Sequence, residues 1–257
     1  GIRSDWGLRT YGESADRPSV DFYGRQTELV RALVEAGRPV VAVIVNGKPL
    51  NNEWITAHVP AIVDAWEPGM YGGQAVAEIL FGKVNPSGKM PVTVPRHAGQ
   101  IPMYYYQAAS RYWTGYGLGS SREDDRPAFC FGHGLSYTSF EYSDLKADSV
   151  CPATGSIRFS FRLKNTGRMT GKEVPMVFVR DCVSSVVTPV NLLKEFTKVE
   201  LRPGEERVIG FRIPAERLGL WNEDMKYVTE PGEFVLSVGR SVEDIRLKTT
   251  VRVLQTE

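Results

Sequence analysis

Three carboxyl groups crowd the start of this sequence. Glu13, Asp16 and Asp21 fall within nine residues, in a polar stretch flanked by Trp6, Tyr11, Phe22 and Tyr23. A loop carboxyl walled by apolar side chains has its pKa raised and serves as a proton donor. The same residues read equally as solvated loop acids, and Arg17 beside Asp16 as a surface ion pair. Other reactive groups are dispersed. His58, His97 and His133 lie far apart, without ligand spacing, and Cys130, Cys151 and Cys182 fit neither a zinc site nor a disulfide framework. No metal and no cofactor is expected. Glycines at 24, 37, 47, 69, 72 and 73 do not form a phosphate-cradling loop between a strand and a helix. No Gly-x-Ser-x-Gly nucleophile element occurs. Tyr104, Tyr105, Tyr106, Tyr112, Trp113 and Tyr116 form an aromatic cluster with two readings, a wall for sugar rings or packing between domains.

The elements that must position these groups change character near residue 120. Apolar residues at Leu29, Val30, Leu33 and Val34 have helical spacing, closed by Gly37. Pro39–Val45 is a continuous β-branched run, which predicts a strand buried on both faces, as in a parallel sheet. Ile55–Val59 reads as a short helix, Ala61–Trp66 as a second strand, Gly72–Gly82 as a helix and Met90–Pro95 as a short strand. Helix and strand in alternation imply a layered α/β domain. From Phe140 the period becomes two. Ile157–Leu163, Glu173–Val179, Leu192–Glu200, Arg207–Ile213, Gly232–Val238 and Ile245–Val253 predict an antiparallel β-sandwich. The expected fold class is therefore α/β plus all-β: an α/β domain over 1–118, a linker over 119–140 and a sandwich over 141–257.

Composition bounds the partners. The 257 residues carry 31 Lys+Arg against 30 Asp+Glu, a net charge of +1, which gives nucleic acid no electrostatic handle. The longest apolar run, Val40–Val45, is far short of a membrane span. Gly1–Trp6 lacks the apolar core of a signal peptide, and there is no initiator methionine. The expectation is a chain that starts inside a longer one or has been processed.

Ordered motifs then narrow the reading. Val45-Asn46-Gly47-Lys48-Pro49-Leu50, Ala65-Trp66-Glu67-Pro68-Gly69, Gly72-Gly73-Gln74-Ala75 through Leu80-Phe81-Gly82, Asn85-Pro86-Ser87-Gly88-Lys89-Met90-Pro91 and Phe131-Gly132-His133-Gly134-Leu135-Ser136-Tyr137 follow one another in the chain. This order resembles family 3 glycoside hydrolases. Lys164-Asn165-Thr166-Gly167, Gly171-Lys172-Glu173-Val174, Leu201-Arg202-Pro203-Gly204-Glu205 and Glu230-Pro231-Gly232-Glu233-Phe234 resemble that family's fibronectin type III-like domain. The resemblance covers essentially the whole chain. It implies a retaining β-glycosidase, commonly a β-glucosidase or β-xylosidase, and an immunoglobulin-like sandwich after a partial α/β sandwich domain.

In that family the acid/base Glu sits in a segment like Tyr11-Gly12-Glu13-Ser14-Ala15-Asp16-Arg17 ahead of Phe22-Tyr23-Gly24-Arg25-Gln26, with Tyr23 where Pro is usual. The resemblance thus makes Glu13 the acid/base. Ser4-Asp5-Trp6-Gly7 looks like the nucleophile motif, but leaves no room for a barrel before Gly12-Glu13, so Asp5 reads as an ordinary loop acid. The nucleophilic Asp is expected on a barrel domain of the parent polypeptide, with a β-linked oligosaccharide or glycoside as substrate and a periplasmic or secreted setting favoured. A non-catalytic carbohydrate-binding or scaffold module is the alternative.

Overall fold

The computed structural model describes residues 19–106 and 126–255. These fall into two compact units: 19–84, 92–104 and 126–130 in the first, 85–91, 105–106 and 131–255 in the second.

The first unit begins with helix α1 (Gln26–Glu35) and strand β1 (Val41–Ile44), then α2 (Glu53–His58), β2 (Ala61–Asp64) and α3 (Gly72–Leu80). Gly37 closes α1 in the left-handed region at φ +69, its N–H reaching the Val34 carbonyl at 2.9 Å. Asn52 caps α2 by accepting from the Ile55 N–H at 3.1 Å, which starts that helix two residues earlier than its apolar residues suggest. Strands β1 and β2 pair in parallel, Val41 opposite Ala61 through Ile44 opposite Asp64.

Two expectations need correction here. The apolar run predicts β1 buried on both faces, yet Val41 and Val43 are exposed. Among the described residues β1 has a strand neighbour on one edge only, and nothing covers the Val41–Val43 face. Met90–Pro95 is not a strand. Only Val94 bridges, to Phe129, because Pro91 and Pro95 remove the N–H donors on either side.

The second unit is a β-sandwich. One sheet orders β10 (Glu206–Pro214), β5 (Ser156–Asn165) and β3 (Phe140–Ala147). The other orders β4 (Val150–Pro152), β14 (Ile245–Leu254), β13 (Gly232–Gly239), β7 (Met176–Asp181) and β8 (Leu192–Phe196). Pairing is antiparallel except β14 with β4. The alternation in β5 sends Ile157, Phe159, Phe161 and Leu163 into the core, where they meet Val177, Val179, Leu236, Val238, Val251 and Val253. Each such side chain contributes roughly 1.5–3 kcal/mol on burial. The stretch read as one strand over Glu173–Val179 divides at Val174-Pro175. Its first part, β6 (Gly171–Glu173), pairs with β9 (Val199–Leu201), and β7 pairs with β8 and β13. A short hairpin, β11 (Leu220–Trp221) with β12 (Tyr227–Val228), completes the unit.

The segment 85–91 is built into this second unit. Asn85 Oδ1 accepts from Ser136 Oγ at 2.9 Å and the Tyr137 N–H at 2.8 Å, and Asn85 Nδ2 donates to the Thr170 carbonyl at 3.1 Å. Met90 exchanges backbone bonds of 2.8 Å with His133 and Gly132. Gly134 is obligatory, since a Cβ there would lie 2.2 Å from the Gly88 carbonyl oxygen.

Candidate active site

Glu13, Asp5 and Asp16 lie outside the described residues, as do Tyr112, Trp113 and Tyr116. What is described is the anchorage immediately after the Glu13 segment. The Asn51 N–H donates to the Val20 carbonyl at 2.8 Å, and Asn52 Nδ2 donates to Asp21 Oδ1 at 2.8 Å. Asn51 is itself buried and fully used. Its Oδ1 accepts from Thr56 Oγ1 at 2.6 Å, and its Nδ2 donates to the Arg96 carbonyl at 3.1 Å. Residues 20 and 21 are thereby pinned to the loop that follows β1. Asp21, the third carboxyl of the sequence cluster, is a member of this anchorage.

That loop leaves from the carboxyl ends of the parallel strands, the end where open α/β sheets hold ligands. Two polar side chains sit side by side there. Asn46 is 2% exposed, its N–H bonds to the Trp66 carbonyl at 3.2 Å and its Nδ2 donates to the Lys48 carbonyl at 2.6 Å. Among the described residues Asn46 Oδ1 is buried without a donor. Asp64, at the end of β2, is half-buried. Burial pushes its carboxyl pKa up, against the lowering effect of the Trp66 N–H and the Asn46 amide. Neither residue is singled out in the sequence as a site residue, although Asn46 lies in a family motif. The cue available was that Asn46-Gly47 and Asp64 both terminate runs of strand residues.

In the same unit, Arg31 of α1 lies 4.8 Å from the centre of the Trp54 ring, which stacks on His58 at 4.4 Å and 10°. His58 Nδ1 is 2.8 Å from the Trp54 carbonyl, so a proton on it is donated there. His58 is thus committed within α2. Among the described residues no three His, Cys, Asp or Glu side chains converge on a metal position.

In the second unit lies Tyr105, a member of the sequence's aromatic cluster. It stacks on Phe131 at 4.2 Å and 17°, edges onto Phe178 and packs with Val174 and Met176, a packing role. The polar centre of this unit is Glu173. Its Oε1 accepts from Lys89 Nζ at 2.9 Å and the Val174 N–H at 2.8 Å, and its Oε2 accepts from Arg240 Nε at 2.9 Å. Burial lowers the Lys89 pKa even against Glu173. Burial lowers His133 as well, helped by the Lys89 and Arg240 charges. Among the described residues Glu173 is held by two cations and a backbone N–H, the pattern of a structural ion cluster.

Comparison with known proteins shows the family of the chain. Residues 5–137 match the glycosyl hydrolase family 3 C-terminal domain, and residues 173–242 the fibronectin type III-like domain. A β-xylosidase of Formosa agariphila is 42% identical over 94% of this chain and 33% of its own length. A periplasmic β-glucosidase of Salmonella typhimurium is 36% identical over 92% of this chain and 32% of its own. The structure of a β-glucosidase from Erythrobacter marinus superposes with a TM-score of 0.88 at 38% identity, covering 96% of this chain and 32% of that one. A glucose complex of the β-glucosidase from Listeria innocua gives 0.89 at 30% identity, covering 96% and 35%. The chain thus spans about a third of the length of the relatives it matches. It belongs to glycoside hydrolase family 3, and its two matched regions are that family's C-terminal α/β domain and its fibronectin type III-like domain.

Proposed function

We propose that this chain supplies the acid/base carboxyl, Glu13, of a retaining β-glycosidase acting on terminal β-linked sugars, with the nucleophilic Asp on a barrel domain outside the chain. The observation that carries the reading is the pinning of residues 20 and 21, which follow the Glu13 segment in the chain, to Asn51 and Asn52 in the loop that follows β1. A proton donor must be held at a fixed place against its substrate, and this anchorage fixes the chain at residues 20 and 21.

Retention needs two carboxyls about 5–5.5 Å apart. In the first step the nucleophile attacks the anomeric carbon, the glycosidic bond breaks and the Glu13 proton passes to the leaving oxygen. In the second, Glu13, now a carboxylate, takes a proton from water as the water oxygen displaces the enzyme carboxylate. The chain alone holds one of the two groups and is inactive. Turnover of an aryl β-glucoside by the isolated chain, abolished by Glu13→Gln, would overturn the reading.

The sharper test uses the full polypeptide carrying Glu13→Ala. A substrate with a good leaving group needs little protonation, so its first step survives and the glycosyl-enzyme accumulates. Azide needs no base, so it restores turnover and gives a β-glycosyl azide. Equal damage to good and poor leaving groups, with no azide rescue, excludes Glu13 and moves the test to Asp16.

A further inference from the structure

The β11–β12 hairpin displays a costly surface. Trp221 is 61% exposed, Tyr227 49% and Met225 76%, all within one short hairpin. Trp221 and Tyr227 are cross-strand partners, ring centres 5.6 Å apart and planes at 60°. The turn beneath them is stiff. Asn222 Oδ1 accepts from the N–H groups of Asp224 at 3.1 Å and Lys226 at 3.0 Å, and the Asn222 N–H bonds to the Lys226 carbonyl at 3.0 Å. Met225 is held at φ +58, a conformation that long side chains rarely take. Tyr227 is seated as well. A Cβ on Gly219 would lie 2.7 Å from its Cε1, so the ring packs closely against this glycine. A contiguous exposed aromatic patch on a preorganised frame marks a binding surface.

We propose that this hairpin is a stacking platform for a soluble, twisted, neutral polysaccharide chain such as xylan or mixed-linkage β-glucan. The chemistry of the patch selects the ligand. Pyranose rings present C–H faces that stack on aromatic planes, and hydroxyls at their rims that bond to polar groups. The turn between the two rings carries both kinds of polar group, the Asp224 carboxylate as acceptor and the Lys226 ammonium as donor, 3.7 Å apart and exposed. Glu223 beside them is exposed as well, so the turn carries one net negative charge, which disfavours a polyanion and leaves a neutral chain to be held by stacking and hydrogen bonds. The 60° between the rings excludes a flat crystalline face, which needs coplanar platforms, and matches successive sugars of a chain that turns. The proposal goes beyond the acid/base reading and does not depend on Glu13.

The test is affinity electrophoresis of this chain in native gels containing soluble arabinoxylan or barley β-glucan, with pull-down on crystalline cellulose alongside. The wild-type chain is retarded by the soluble glycan and stays in the cellulose supernatant. Trp221→Ala weakens binding by about tenfold or more, Trp221→Phe keeps most of it, and Phe196→Ala, another exposed aromatic, changes nothing. Glu13→Ala leaves retardation intact, which separates this surface from the active-site reading. Circular dichroism checks each fold. Should Trp221→Ala unfold, the exposed Asp224→Ala/Lys226→Ala pair replaces it, with reduced retardation expected. Wild-type migration unaffected by glycan, retardation indifferent to the variants, or equal capture by cellulose each overturns the proposal.

Discussion

At the scale of single residues, the buried charges separate structure from chemistry. Glu173 is nearly inaccessible and compensated by Lys89 and Arg240. Glu173→Gln leaves both cations underpaired in a dry site and should cost about 3–5 kcal/mol in urea unfolding, the usual scale for one half of a buried pair. Adding Lys89→Met should cost less than the sum of the single changes, since the lost partner is then no longer needed. Asp64 makes the opposite kind of statement. Its folded-state pKa lies above the unfolded one, so the folded chain keeps a proton that the unfolded chain releases. Stability therefore falls as pH rises from the ordinary carboxylate range through the raised value. Asp64→Asn should flatten that slope, read from urea midpoints between about pH 3 and 7. The motifs around Lys89 and Glu173 were legible in the sequence as family marks. That the two side chains meet was not, because the pairing is long-range and no local pattern encodes it. That Asn46 and Asp64 meet was hidden for the same reason: parallel strands bring their ends together only once the sheet is formed.

At the scale of elements, periodicity read the sandwich well and the α/β unit less completely. Strands β5, β10, β13 and β14 lie within a residue or two of their predicted spans, because an alternating run facing one core fixes both extent and register. The run at β1 carries no such information. Continuous apolarity says that both faces suit burial, not that a neighbour is present to cover them. Val43 and Val177 let this be measured. Val43→Thr at the exposed face should cost under about 1 kcal/mol, whereas Val177→Thr buries an unpartnered hydroxyl in the sandwich core and should cost about 1–3 kcal/mol. Comparable losses at the two positions would mean that β1 is covered in solution. The split of Glu173–Val179 into β6 and β7 was foreshadowed by Pro175. A proline within a strand pattern argues for a break, and here it hands the chain from one pairing partner to another.

At the scale of the molecule, the two units differ in how much they bury. The fully buried large side chains lie mainly in the sandwich, from Phe161 and Phe178 to Leu236, whereas α1 has no buried residue among those described. Hydrogen exchange followed by mass spectrometry should find the slowest amides in β5, β7 and β13, opening only with global unfolding. Those of β1 and β2 should exchange through local opening. Uniform protection across both units would contradict this. Calorimetry should likewise show a lower transition for the α/β part than for the sandwich.

Lys89 carries a consequence for descent. It stands inside the region matched by the family's C-terminal domain, yet its charge answers Glu173, which belongs to the fibronectin-like match. A gene that loses the second domain strands a cation in the first, and a gene that gains it must find one. Lineages without the fibronectin-like domain should therefore drift to neutral residues at position 89. Those that keep it should hold Lys or Arg there, so that the two matched regions co-evolve through one side chain rather than shuffle as separate cassettes.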